Sequence, residues 1–279
     1  MKGARESLAV TFAALAFLAV GAAPTCAADA SPWVTDLHSS LRLIAGGKDG
    51  AEALRAGIEI KVALGWHTYW RYPGDSGVPP RFTFPGSDNV AAVKVSYPAP
   101  QAITDETGTT IGYDDNVVFP LRVVPRDKSK PVTLRLQVDY AVCEKMCVPV
   151  EAKAELALPG GNAETAAALA AAEARVPKPV SATEAGLTAR RINDKTPKPL
   201  VFVDLVAPTG EKVQIFVEGP SPEWALPVPK PAPGAPPGHQ YFGFELDGIP
   251  PGVDPKGPYQ LTFTIVRGTQ PIEVKTRLD

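Results

Sequence analysis

Val132-Thr133-Leu134-Arg135-Leu136-Gln137-Val138-Asp139-Tyr140-Ala141-Val142-Cys143-Glu144-Lys145-Met146-Cys147-Val148-Pro149 is the stretch that decides how this chain folds. From 132 to 140 apolar residues alternate with polar ones, the period-2 signature of a strand with one face in a core. Past Cys147 the alternation resumes, with Ala152, Ala154, Leu156 and Leu158 set among Glu151, Lys153 and Glu155. Joining the two runs through Glu144, Lys145 and Met146 gives a hairpin that pairs Cys143 with Cys147, Asp139 with Glu151 and Leu134 with Leu156. Apolar then faces apolar, and both cysteines fall on the polar face. Directly opposed residues of an antiparallel pair have Cα atoms roughly 4.5 to 5.5 Å apart, within disulfide range.

A bridge closing so short a loop removes little unfolded-state entropy, on the order of 2 kcal/mol, so it is a poor staple. Thiol chemistry is the reading this favours, with a metal pair and an inert local bridge as the other two. The third cysteine, Cys26, stands at the end of a leader: Lys2 and Arg5 precede an apolar run over residues 8–20, and cleavage points follow Ala27 and Ala28. That pattern predicts a secretory signal peptide over 1–28 and an exported mature chain. No later segment reaches the ~20 apolar residues that span a bilayer, so stable membrane insertion is not expected. An oxidising compartment would let a disulfide persist.

Of the 279 residues, 44% are hydrophobic, enough for one large or two small cores. A formal charge of −2 argues against nucleic acid as a partner. With 31 prolines and 24 glycines, turns must be frequent and long helices few. Period-2 runs recur at Ile58, Ile60, Val62, Leu64 and Trp66, at Val93, Val95 and Tyr97, and at Val117, Phe119, Leu121 and Val123. Pro120 inside the last run argues for an edge strand or a bulge. Short strands at regular spacing suggest a sandwich.

An alanine-rich stretch from 162 to 175, stopped by Pro177 and Pro179, predicts a short helix. It reads as a linker over 161–180. Strand patterns resume at 200–206, 213–218, 241–246, 259–267 and 272–278, and the proline-rich run 220–237 reads as an extended surface loop. The expected fold is therefore all-β, with a first β-sandwich over 29–160 and a second over 181–279, each folding alone and only the first redox-active.

Three segments carry a resemblance: Gly65-Trp66-His67-Thr68-Tyr69-Trp70-Arg71-Tyr72-Pro73-Gly74-Asp75-Ser76-Gly77, then Ile111-Gly112-Tyr113-Asp114-Asp115-Asn116-Val117-Val118-Phe119-Pro120, then 143–149. Together they resemble the periplasmic N-terminal domain of the DsbD thiol:disulfide interchange family, and most nearly its ScsB-type branch, associated with copper tolerance. The resemblance implies an immunoglobulin-like first domain, a periplasmic location and no cofactor. It also implies a cysteine pair that relays electrons between a membrane thiol reductase and a thioredoxin-like periplasmic oxidoreductase. Cys147 would form the mixed disulfide with a partner and Cys143 would resolve it. A loop over 103–110 would cap the pair, although the family's capping aromatic is absent and Glu106 and Thr107 stand in its place. The cysteines are also separated by three residues instead of five. The sequence carries no membrane conduit, so the reductase is expected to act in trans.

His67, Tyr69 and Tyr113 are the supporting candidates from the resembling segments, with Glu106 from the capping loop and Lys145 between the cysteines as a positive charge favouring thiolate. A polar surface for His67 and packing for Tyr69 are the plainer readings. Trp66 and Trp70 are expected in the core, and Asp75, Asp114 and Asp115 in turns. The rival function is copper handling, since a C-x3-C pair with Met146 and His67 supplies ligands suited to Cu(I). A non-catalytic envelope docking module is the third.

Overall fold

The computed structural model describes residues 28–50, 52–74, 77–105, 108–192, 198–254 and 256–279. The chain runs through β1 (Val34–Thr35), β2 (Ser39–Asp49), β3 (Ala53–Val62), β4 (His67–Gly74), β5 (Arg81–Thr83), β6 (Val90–Val95), β7 (Gln101–Asp105), β8 (Gly108–Tyr113), β9 (Val117–Pro125), β10 (Val132–Cys143) and β11 (Cys147–Leu158). After α1 (Ala163–Ala174) come β12 (Lys178–Val180), α2 (Ala182–Ala185), β13 (Leu187–Ile192), β14 (Leu200–Val206), β15 (Gln214–Glu218), β16 (Lys230–Ala232), β17 (His239–Glu245), β18 (Tyr259–Val266) and β19 (Ile272–Leu278).

Strands up to Leu158 form two facing sheets, in the orders β1-β2-β3-β9-β6 and β11-β10-β4-β8-β7, with β5 added to β10. Leu41, Leu43, Ile58, Ile60 and Phe119 from the first sheet meet Leu134, Leu136 and Val138 from the second, all at most 2% exposed. This is an immunoglobulin-like sandwich closed by alternating inward side chains. Ser39 and Tyr140, one from each sheet, join their hydroxyls across it at 2.8 Å. Four-stranded sheets β12-β19-β18-β15 and β13-β14-β17-β16 face one another over Val203, Leu205, Phe244, Leu261 and Phe263.

Several expectations need correction. The run to Trp66 does not continue as strand: Gly65 takes φ +82°, the Trp66 amide bonds the Ala63 carbonyl, and Leu64 is left fully exposed on the turn. Trp66 is only partly buried and stacks on His38 at 3.7 Å. Pro120 lies in β9, an interior strand between β3 and β6. Its carbonyl accepts from Ser96 just past the end of β6, so the missing N–H faces a position where the ladder has already stopped.

The alanine-rich helix forms as read, with an Asn162–Thr165 capping box. It is not a free linker. Leu169 is fully buried with Ile44 and Val118 on the outer face of the first sheet, over Gly46 and Gly57, and Glu173 forms a two-bond ion pair with Arg55 of β3. Residues 178–180, placed in the linker from sequence, instead pair with β19. The proline-rich run is not all surface, because Trp224 and Leu226 are buried in the core and Lys230–Ala232 forms a strand.

Candidate functional site

The hairpin register is the one expected, with Cys143 opposite Cys147, Asp139 opposite Glu151 and Leu134 opposite Leu156. The two cysteines are disulfide-bonded, their Cα atoms 4.2 Å apart. Their exposures differ sharply: Cys143 is 2% exposed, whereas Cys147 lies open to solvent. The asymmetry comes from β4. β10 has β5 beside it along Gln137–Asp139 but meets β4 only at Val142 and Cys143, opposite Thr68 and His67. Cys147, Cys143 and His67 therefore stand side by side across three strands. The face of β10 that reads as polar is covered there, and Ala141, Cys143 and Tyr69 form a small buried cluster.

Tyr69, 2% exposed, directs its hydroxyl between the sulfurs, 2.6 Å from Cys143 Sγ and 3.1 Å from Cys147 Sγ. Disulfide sulfur carries no proton, so the hydroxyl donates. Thr68 Oγ1 donates to the Ala141 carbonyl at 2.9 Å and fixes β4 against β10. His67, 6% exposed, is buried and meets the Tyr69 ring edge-on at 5.5 Å. Behind Tyr69, Gly77 leaves room that no side chain could share, since a Cβ there would lie 2.5 Å from the ring's Cδ1. Gly112, paired with Tyr69 across the sheet, is likewise required, because a Cβ would lie 2.1 Å from the Thr68 carbonyl oxygen.

The other candidates are placed elsewhere. Tyr113 is a core residue: its hydroxyl donates to the Pro98 carbonyl at 2.8 Å and burial pushes its phenol well above the usual range. Lys145 is exposed on the hairpin turn. The hairpin β7–β8 joins the far side of β4, pairing Thr110 with Gly74, and its tip with Glu106 and Thr107 lies outside the described residues, as do Cys26 with all but the last residue of the expected leader over 1–28, and Asp75. Asp114 and Asp115 occupy an exposed turn. In the sequence Gly77, like Gly74 and Asp75, reads only as part of a turn. Sequence alone gives Arg71 no role, yet its guanidinium donates two bonds to Glu218, at 2.9 and 2.7 Å, and one to Glu273 at 2.7 Å. Only the charge of these residues is visible before the fold brings them together.

A disulfide between an exposed and a buried cysteine, set at a hairpin tip of an immunoglobulin-like sandwich, is the arrangement expected of a thiol:disulfide interchange domain. Residues 48–159 match the family model described as Thiol:disulfide interchange protein DsbD, N-terminal, so this part of the chain is similar to a DsbD N-terminal domain. The whole fold is similar to the crystal structure of the N-terminal periplasmic domain of ScsB from Proteus mirabilis, with a TM-score of 0.72 and 21% sequence identity over 90% of this chain and 98% of that chain. No curated protein matches the chain.

Proposed function

We propose that the protein is a thiol–disulfide exchange module of the periplasm, exported by the leader over 1–28, in which Cys147 engages partners and Cys143 resolves. The observation that carries the reading is the unequal exposure of the two bonded cysteines, since a partner's sulfur reaches the exposed Cys147 more readily than the buried Cys143. In the reduced protein the Cys147 thiolate attacks a partner disulfide, forming a mixed disulfide and releasing one partner thiolate. The Cys143 thiolate then attacks Cys147 Sγ, which releases the second partner thiol and restores the Cys143–Cys147 bond. Two electrons and two protons pass to the partner, and the reverse sequence reloads the pair from a reductase.

The Tyr69 hydroxyl supports this chemistry by donating to whichever sulfur carries the negative charge. The partners we infer are a thioredoxin-like oxidoreductase as recipient and a membrane thiol reductase as donor. Residues 29–160 make the exchange unit, and 181–279 a second unit joined to it by the helical segment. No helix among the described residues is long and apolar enough to cross a membrane.

Trapping tests the roles. Cys143→Ala is expected to accumulate a mixed disulfide with an oxidised thioredoxin-type protein, since the intermediate has lost its internal exit, and Cys147→Ala to trap at least tenfold less. Equal trapping by the two variants would overturn the assignment. Metal analysis of the reduced protein addresses the copper reading: one Cu(I) retained per chain through gel filtration would favour it.

A further inference from the structure

We propose that the second pair of sheets tunes the disulfide by gripping β4, with Arg71, Glu218 and Glu273 acting as positioning residues for Tyr69. The inference rests on the exchange reading above and assigns a part in it to the half of the chain that holds no cysteine.

β4 divides into two functions within six residues. His67 stands opposite Cys143 and Tyr69 touches both sulfurs. Beyond Tyr69 the strand leaves its own ladder: its pairing with β8 is regular at Thr68 and Tyr69 and resumes only at Gly74. The side chains in between are held from elsewhere. Trp70, fully buried, packs on Phe216 of β15 with ring centroids 6.0 Å apart. The Arg71 guanidinium lies 4.6 Å over the Trp70 ring and is clamped by Glu218 of β15 and Glu273 of β19. Tyr72 donates through its hydroxyl to the Leu226 carbonyl at 3.3 Å and accepts from the Leu226 amide.

The anchors of Trp70 and Arg71 belong to one surface. Phe216 pairs with Thr264 and Thr264 with Glu273, while Glu218 follows two residues along β15, so Phe216, Glu218, Thr264 and Glu273 share the outer face of the sheet. The inner face, with Ile215, Val217 and Phe263, closes the second sandwich's own core. A sheet with both faces occupied in this way is a rigid platform. Trp70 and Arg71 are seated on it directly after the residue that meets the sulfurs, and Tyr72 is held beside them by Leu226.

The Arg71 clamp is ionic and only partly open to water, its side chain 29% exposed against 16% for Glu218 and 19% for Glu273. Burial by itself would push the guanidinium down, and the bonds and charges of Glu218 and then Glu273 together hold it above its usual range. Strands rise about 3.3 Å per residue, so Arg71 and Tyr69 are roughly 7 Å apart along the chain. Hydrogen bonds weaken steeply once the donor angle or distance is lost. Loosening the clamp therefore releases the Tyr69 hydroxyl before it disturbs the hairpin.

The test uses the full chain and two readouts: the alkylation rate of Cys147 by iodoacetamide in the reduced protein at pH 7, and the glutathione ratio at which half the protein is disulfide-bonded. Glu218→Gln combined with Glu273→Gln is expected to slow alkylation at least threefold and to move the glutathione midpoint toward the disulfide. Tyr69→Phe should move both readouts in the same direction, and adding the clamp substitutions to Tyr69→Phe should produce no further change, since both act through one hydroxyl. Glu273→Gln alone keeps the two Glu218 bonds and should give a smaller shift in the same direction, which serves if circular dichroism shows the double variant unfolded. Arg55→Gln, which breaks the ion pair of α1 away from β4, should lower the melting temperature and leave both readouts within 1.5-fold. Clamp variants that equilibrate like the wild type, or shifts that add to that of Tyr69→Phe, would overturn the proposal while leaving the exchange reading standing. A wild-type pair that fails to equilibrate with glutathione would overturn both.

Discussion

At the scale of single residues the site is built from one donor and two glycines as much as from its cysteines. The Tyr69 hydroxyl lies within hydrogen-bond distance of both sulfurs, and a hydrogen bond to a charged acceptor is worth about 1.5–3 kcal/mol. Tyr69→Phe keeps the ring and removes only that bond. It is expected to slow alkylation of the reduced pair about tenfold at pH 7, the factor that ~1.4 kcal/mol represents, while shifting the melting temperature by no more than a few degrees. Gly77→Ala should reproduce the chemical effect without touching a sulfur, because the new methyl would occupy the space of the Tyr69 ring edge. If Gly77→Ala alkylates at the wild-type rate, the ring is not held from behind and the packing argument fails.

Elements differ in how openly the sequence announces them. The hairpin of β10 and β11 was legible because both strands alternate strictly and the turn length leaves one register that matches face to face. The helix α1 was legible from its composition and cap, whereas its docking was not, since Leu169 is a single large apolar side chain among alanines. Its partners Gly46 and Gly57, which make the hollow, lie over a hundred residues earlier. Leu169→Ala is expected to cost about 2–5 kcal/mol, as for a fully buried leucine, read as a fall in denaturation midpoint with the glutathione equilibrium unmoved. β4 shows the opposite limit. Its pattern marks a strand, but the contact of Tyr69 with Cys143 joins residues 74 apart in sequence and depends on β10 exchanging β5 for β4 as its neighbour near the tip. Nothing local in either segment encodes that exchange. The sulfur pairing could be read from one hairpin; the shielding of Cys143 could not.

For the molecule as a whole, the question is whether 29–160 and 181–279 behave as two modules, as the placement of the cysteines alone would suggest. The packing makes a different outcome the expected one. Buried side chains of the two sheet pairs run into one continuous cluster, and three residues of β4 are seated on β15, β19 and Leu226. A fragment ending before Lys178 would open the contacts of Trp70 and Tyr72 to water. Aromatic side chains bury about 150–250 Å² each, and losing even half of that cover for the two costs several kcal/mol at about 25 cal/mol per Å². It would also leave Arg71 without either carboxylate. The fragment 29–177 is therefore expected to unfold at a lower denaturant concentration than the full chain and to alkylate at the slower rate of Tyr69→Phe, while keeping its hairpin disulfide. Adding the separate piece 178–279 back should restore the rate if the two associate. A fragment whose midpoint and alkylation rate match the full chain would instead make the second sheet pair a passenger. The redox unit would then end, as its sequence alone proposes, at the hairpin's last strand.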